Sequence, residues 1–313
     1  MEVVHLSYPH EITADKAEPK VLALGFFDGV HRGHQQVIQT AKQIADEKAI
    51  KSAVMTFHPH PSVVLRKGKQ HVRYITPPQE KAEQIEKLGI DILYIVKFDH
   101  GLSDLLPQEF VDEFLIRLNV KHVVAGFDFS YGRLGKGKME TLPFHSRGNF
   151  AQTTVGKVEK GSEKVSSTLI RQKIESGEVD ELSQLLGRPY TVHGIVVHGD
   201  KRGRTIGFPT ANVQLLDKFL MPPVGVYAVQ IDVKGKRYDG VCNLGYKPTF
   251  HDNKEEPILE VHIFQFDGDI YEEEVSVMWV QRIRAEQKFD SVDALIAQIE
   301  QDKAEAERIL EKN

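Results

Sequence analysis

Four stretches of this chain carry residues whose types and spacing could do chemistry. The first is Gly25-Phe26-Phe27-Asp28-Gly29-x-His31-x-Gly33-His34. Its two histidines lie where an apolar run gives way to a helical pattern. Free N–H groups and the dipole of a helix start favour a phosphate there, and imidazoles at that point can hydrogen-bond phosphoryl oxygens as negative charge builds on them. The second is Val165-Ser166-Ser167-Thr168-Leu169-Ile170-Arg171, hydroxyls of the kind that cap a helix, with an arginine one turn on. The third runs from His198 to Asn212 through Gly199, Lys201, Arg202, Gly203, Arg204, Gly207, Phe208, Pro209 and Thr210. Its glycines let backbone N–H groups approach phosphates and its basic residues supply countercharge; a glycine-rich barrel loop is the other reading. The fourth is Leu259-Glu260-Val261-His262-Ile263, a carboxylate within a strand-like run, which by default is a solvated face residue.

The elements around these residues read as two textures. Val21-Leu22-Ala23-Leu24 suits a strand buried on both faces, and Val37, Ile38, Ala41 and Ile44 then recur at helical spacing. Further strands are expected at Ser52–Phe57, Asp91–Val96 and Val120–Ala125. Between them, a helix starts at Thr76-Pro77-Pro78-Gln79, with Thr76 as cap, and stops at Gly89; another carries Val111, Phe114, Leu115 and Leu118 on one face. Strands alternating with helices imply an α/β fold: a parallel sheet with right-handed crossovers and ligands at the strand C-terminal ends. The histidine turn, His58-Pro59-His60-Pro61 and the loop from Gly126 through Asp128 all fall at such ends. Gly132 to Lys138 falls short of a P-loop, because Met139 stands where the magnesium-holding hydroxyl belongs; Arg133 to Lys138 also reads as a basic surface loop.

A short helix with Val179, Leu182, Leu185 and Leu186 closes at Gly187, which places a domain boundary between 187 and 188. Beyond it short strands dominate. Tyr227, Val229, Ile231 and Val233 share one face, Lys234-Gly235-Lys236 and Asp267-Gly268 read as hairpin turns, and a long helix runs from Ser291 to Leu310 with Leu295, Ile296 and Ile299 toward the core. This half is expected to be a small antiparallel barrel with a terminal helix.

With 313 residues the chain is long enough for two cores. A net charge of −5 gives no nucleic-acid footprint. Cys242 is the only cysteine, which excludes an intrachain disulfide and a cysteine-based zinc site. No signal-peptide core or membrane-spanning run is legible, so a cytoplasmic setting and no membrane partner are expected.

The histidine stretch resembles the HxGH signature of the nucleotidylyltransferases and, in its longer form, the prokaryotic FAD synthetases. Val165–Arg171 resembles the SSTxxR motif that follows HxGH in that superfamily, where hydroxyls and helix N–H groups hold pyrophosphate oxygens and Arg171 would neutralise the leaving group. The Gly207–Asn212 run is similar to the GFPTAN segment of the riboflavin kinases, which implies Thr210 and Asn212 as metal and phosphate ligands and Glu260 as the general base. Asn243–Phe250 resembles the same family's NxGxxPTF turn, and Arg282, Arg284, Lys288 and Phe289 its segment before the last helix; Arg284 is a flavin or phosphate contact or part of a basic surface cluster. In the order and spacing of its motifs the chain resembles the bifunctional riboflavin kinase/FAD synthetases. That resemblance implies riboflavin, FMN, FAD and ATP as substrates and products, Mg2+ as cofactor, and His31, His34, Arg171 and Glu260 as catalytic. The expected ATP- and phosphate-binding residues are Gly25, Phe27, Asp28, Gly33, His60, Asp128, Ser167 and Thr168 in the first half, and Gly199, Lys201, Gly207, Pro209, Thr210 and Asn212 in the second. Two other classes stay open: a single-activity adenylyltransferase with an accessory barrel, and a flavin-binding regulator without turnover.

Overall fold

Every residue of Lys20–Leu24 is buried, the burial expected of a central strand covered on both faces. In the computed structural model, which describes all residues except 66–72, 162, 200–202, 204–205, 249–254 and 313, this strand, β2, lies inside a six-stranded sheet. The sheet comprises β1 (Glu2–Leu6), β2, β3 (Lys51–His58), β4 (Ile92–Lys97), β5 (Val120–Gly126) and β8 (Ala151–Val155) in the order β1-β4-β3-β2-β5-β8. Every neighbouring pair is parallel. The strands β6 (Ser130–Tyr131) and β7 (Gly137–Lys138) form a separate small hairpin. Helix α1 (Arg32–Glu47) lays Val37, Ile38, Ala41 and Ala45 over Val21, Ala23, Val54 and Leu93 on one face. On the other face Leu22, Leu24 and Met55 meet Phe110, Phe114 and Leu115. Each such fully buried side chain contributes about 1.5–3 kcal/mol.

After β4 the chain crosses to the far side of β2, so the direction of winding reverses between β2 and β5. Parallel strands on either side of such a reversal diverge in their connections and leave a crevice at their C-terminal ends. The histidine turn leaves β2 and the Gly126–Asp128 loop leaves β5, so the crevice is lined by two of the sequence's candidate loops.

The connections differ from the sequence reading in detail. Pro61 opens a short helix, α2 (Pro61–Leu65), instead of only stopping one, since proline suits the first helical position. The helix α3 (Pro78–Glu86) takes Pro77 as its cap, without a side-chain cap bond. Thr76 is not the cap: its N–H donates to Asp28 Oδ1 at 3.1 Å. Short helices α4 (His100–Ser103) and α5 (Pro107–Val111) follow, and α5 runs on into a π-turn at Asp112–Ile116. This π-turn interrupts the single helix expected around Phe114. After α6 (Leu142–Ser146) and β8, a two-residue hairpin, β9 (Glu159–Lys160) with β10 (Glu163–Lys164), leads to α7 (Ser167–Ser176).

By packing, the chain divides into two compact units, Met1–Ser167 and Thr168–Asn313. The division falls at the start of α7, so residues 168–187 pack with the second unit. A 3-10 turn at Val179–Glu181 and α8 (Leu182–Leu186) follow α7, and Gly187 closes α8 with φ 74°.

The second unit is a closed antiparallel barrel ordered β11-β12-β15-β14-β13-β16, from β11 (Tyr190–Val197), β12 (Ala211–Leu215), β13 (Gly225–Val233), β14 (Lys236–Pro248), β15 (Glu255–Ile263) and β16 (Glu274–Ala285). Lys234 and Gly235, both at positive φ, form the β13–β14 turn as expected. Asp267-Gly268 does not join a hairpin, however. Both edges of β15 are already paired, with β12 and β14, so the chain crosses to close the barrel between β11 and β13. The terminal helix α9 (Val292–Leu310) is capped by the Ser291 hydroxyl. Its buried positions are Asp302, Ala306, Ile309 and Leu310, a turn or more beyond the Leu295, Ile296 and Ile299 expected to face the core, which are half-buried. Ala306, Ile309 and Leu310 cover Val226, Ala228 and Val241 on the outside of the barrel.

Candidate active sites

In the first unit the tight turn after β2 is built by its own side chains. Phe27 sits at φ 55° and is 2% exposed. Its ring occupies the space that a Cβ on Gly25 would enter at 2.8 Å. The buried Asp28 carboxylate accepts the Thr76 N–H, and its carbonyl accepts the Ser167 hydroxyl at 2.8 Å. Asp28 is therefore a brace that joins the turn to Thr76 and Ser167.

His31 caps α1. Its Nδ1 accepts the His34 N–H at 3.2 Å, which fixes the ring as the tautomer with the proton on Nε2. The His31 and His34 rings stack with centroids 3.5 Å apart and planes 19° apart. Gly33 permits this, since a Cβ there would lie 3.2 Å from the His31 ring. The Phe27 ring meets His34 edge-on at 5.3 Å. Burial, aided by His31, Lys81 and Lys164, holds the His34 imidazolium well below its ordinary range. His34 is thus a neutral ring at neutral pH, with a buried Nδ1 that has no partner among the described residues.

Under this turn lies Lys81 of α3, 4% exposed. Its ammonium donates to the Phe26 carbonyl at 2.9 Å and to Thr56 Oγ1 at 3.3 Å, and it lies 4.4 Å over the Phe26 ring. Burial pushes its pKa down to about 8, partly offset by Asp28. The other edge of Phe26 meets His60 at 4.4 Å, and His60 Nδ1 accepts the Ser62 N–H. Asp128 is exposed and paired with Lys164 at 2.6 Å. The β2, β3 and β5 loops therefore do share a neighbourhood, linked through Phe26 and Lys164. Thr168, exposed, and Arg171, half-buried, lie on α7 in the second unit.

In the barrel the register assembles the site. Residues directly opposite in an antiparallel pair share a face. Asn212 pairs with Glu260, Glu260 with Asn243, Asn243 with Val226, and Val226 with Arg284. The alternate residues Val213, Leu259, Val261, Cys242 and Leu244 are fully buried and fill the interior. The row Asn212–Glu260–Asn243 therefore lies on the outer face, the face that α9 partly covers. The Asn212 amide is held against Gly199, where a Cβ would sit 2.4 Å from it. Thr210, Pro209 and Gly207 lie exposed before β12, with Gly207 at φ 89°. Arg284 closes the row but is occupied: its guanidinium forms a two-pronged pair with Asp302, 2.7–3.1 Å, and lies 5.8 Å over Phe289. Lys201 and the Thr249–Phe250 end of the asparagine turn lie outside the described residues.

Residues 13–169 match the family model for FAD synthetase and residues 186–310 that for riboflavin kinase. The chain belongs to the bifunctional riboflavin kinase/FMN adenylyltransferase family. It is 50% identical to the bifunctional riboflavin kinase/FMN adenylyltransferase of Bacillus subtilis (strain 168), over 98% of each chain. It is also 50% identical to that of Listeria monocytogenes, over 100% of this chain and 99% of the relative. A solved structure described as a macrolide-efflux protein from Streptococcus pneumoniae is 37% identical and covers 96% of this chain and 97% of its own, with a TM-score of 0.86. Among the described residues of the present chain, no helix is long and apolar enough to cross a membrane.

Two residues that the fold sets beside the candidate site residues were not singled out from sequence. Lys81 announces itself only as a lysine four residues before Ile85, on the buried side of α3. Asn243 lies in a recognised turn, but only the register shows that it flanks Glu260.

Proposed function

We propose that the chain makes FAD from riboflavin in two ATP-dependent steps. The barrel transfers the γ-phosphoryl group of ATP to riboflavin, giving FMN and ADP; the parallel-sheet unit joins AMP from a second ATP to the FMN phosphate, giving FAD and pyrophosphate. The observation that carries this reading is the outer-face row Asn212–Glu260–Asn243, present in the same chain as a stacked His31–His34 pair at a helix start. One site offers a base beside hard oxygen donors; the other offers donors for phosphoryl oxygens.

In the barrel, Glu260 accepts the proton of the ribityl 5′-hydroxyl as that oxygen attacks the γ-phosphorus. The hydroxyl of Thr210 and the carboxamide oxygen of Asn212 are hard donors that suit Mg2+, and the cradle over Gly199 holds the Asn212 amide in place. These two residues would hold the ion, which when bound offsets the charge on the ATP phosphates. In the first unit no protein nucleophile is needed, because the FMN phosphate oxygen attacks the α-phosphorus. His31 and His34 with the α1 N-terminus stabilise charge on the phosphoryl oxygens. Phosphate binding in this reaction is assigned to Gly25, Phe27, Asp28, Gly33, His60, Asp128, Ser167 and Thr168, and neutralisation of the pyrophosphate to Arg171. In the barrel, Gly199, Lys201, Gly207 and Pro209 complete the ATP loop. Arg284 contacts flavin only through whatever reach its pairing with Asp302 leaves. The domain division is taken at 187/188, and the setting is cytoplasmic.

The test is one incubation of the full chain with riboflavin, ATP and Mg2+, with flavins resolved by chromatography over time. FMN appearing first and FAD following is expected. No turnover of either flavin would leave only the regulator reading, and FAD from supplied FMN without riboflavin turnover would leave the single-activity one.

A further inference from the structure

The β12–β15 ladder ends abruptly where the ATP loop begins. Its last pair on that side is Ala211 with Val261. Continued, the same register would set Thr210 against His262 and Pro209 against Ile263, but Pro209 has no N–H to give. At this point a side chain takes over. His262 Nδ1 lies 2.8 Å from the Pro209 carbonyl, and since a carbonyl only accepts, the ring donates. The His262 ring also stands edge-on to Phe208 at 5.6 Å and to Phe264 at 5.8 Å. Upstream, Ile206 and Phe208 donate to the Gly203 carbonyl at 3.2 and 2.9 Å. A Cβ on Gly203 would come within 2.3 Å of the Phe208 carbonyl. Gly203 is therefore held to Ile206 and Phe208, and the exit of this stretch, at Pro209, is tied down by the His262 ring. That donor stands two residues after Glu260 on β15, and so on the same outer face.

We propose that His262 is a positioning residue for phosphoryl transfer: beyond the point where the ladder ends, its Nδ1–H donates to the Pro209 carbonyl and holds Thr210 and Asn212 in register with Glu260. The proposal rests on the barrel being the kinase. It predicts a separation between the ring and the donor. His262→Phe keeps a ring against Phe208 and Phe264 without the N–H; His262→Asn keeps an N–H without the ring.

The full chain and both variants are assayed for riboflavin phosphorylation, with FMN adenylylation by the same preparations as the internal control. His262→Phe is expected to raise KM for ATP about five- to tenfold, the effect of one lost hydrogen bond, with FMN adenylylation unchanged. His262→Asn is expected to return KM to within about twofold of the original. A His262→Phe variant with unaltered KM, or a His262→Asn variant as impaired as the phenylalanine one, overturns the proposal. So does parallel loss of both activities, which would mark a merely structural ring. A second readout does not depend on turnover: nitrogen-detected NMR of the histidine rings should show His262 as the Nδ1–H tautomer, and an Nε2–H tautomer overturns the proposal. If the original chain fails to phosphorylate riboflavin while the Nδ1–H tautomer is seen, the kinase reading falls and the tie between His262 and Pro209 stands.

Discussion

The two proposed sites of this chain would handle phosphate by opposite means. The adenylyl site is built in depth. A strand end, a helix start and a buried lysine are stacked so that His31 and His34 are fixed from beneath, by Phe27, Gly33 and Lys81. The kinase site is built in breadth. Asn212, Glu260 and Asn243 stand on three adjacent strands of an outer barrel face, placed by ladder register. A site built in depth controls the protonation of its groups through burial, and a site built in breadth controls their spacing through the sheet. The first should therefore be sensitive to pH and buried charge, and the second to anything that moves one strand residue sideways.

The largest separation is expected from Glu260→Gln. Riboflavin phosphorylation should fall by about 10²–10⁴, the worth of a positioned base, while adenylylation of supplied FMN is unchanged. Equal loss of both activities would dissolve the two-site comparison. His31→Ala and His34→Ala should do the reverse, lowering FAD formation about 10²- to 10³-fold with FMN formation intact. Normal FAD synthesis by both would remove the histidine pair from the chemistry.

Lys81→Met sharpens the argument from depth. It should lower FAD formation about tenfold through loss of the bond to the Phe26 carbonyl. It also removes one of the cationic neighbours that hold His34 down, so the acid limb of the pH–rate profile for FAD formation should move to higher pH. An unmoved limb would make Lys81 a strut alone. The lysine also has a signature in stability. Its folded pKa of about 8 lies below the ordinary 10.5, so between those values the unfolded chain holds a proton that the fold has released. Stability contributed by this group therefore rises with pH across that window; denaturant titrations at pH 8 and 10 should show the rise shrink in the methionine variant.

The smallest effect is expected from paired glycine changes. Gly199→Ala drives a Cβ to 2.4 Å from the Asn212 amide, whereas at Gly33 the added carbon meets the His31 ring at 3.2 Å. The first should slow phosphorylation about tenfold and the second should slow adenylylation only a few-fold. The reverse order would mean that the breadth-built site tolerates displacement better than supposed.

Much of this was legible because local rules and global fold agree. Val21–Leu24 suits a strand covered on both faces, and residues at helical spacing follow the HxGH run behind it. What stayed illegible depends on pairings distant in sequence. The default reading of Glu260 as a solvated face residue agrees with its outer-face position, but nothing local reveals that it stands between Asn212 and Asn243, since a strand's own alternation does not name its partners. Asp267-Gly268 has the residues of a hairpin turn, yet the strands beside it were already paired. Arg284 reads as a surface cation, and only the fold brings Asp302 of α9 to it. Asp28 reads as a ligand, and only the fold shows that it is also a brace, because its partners Thr76 and Ser167 arrive from 48 and 139 residues away.

The thiol of Cys242 has a use of its own. It is the chain's single cysteine, points into the barrel interior and is wholly buried. Burial, with the nearby charge of Glu260, pushes its pKa far above the usual thiol range, so the folded barrel presents almost no thiolate to an alkylating reagent. Modification of the native protein must then wait for the barrel to open, and the labelling rate becomes a clock for that event alone. The parallel-sheet unit, which has no cysteine, is silent to the reagent. One chemical probe on the unmodified chain thus reports the opening of one unit without interference from the other.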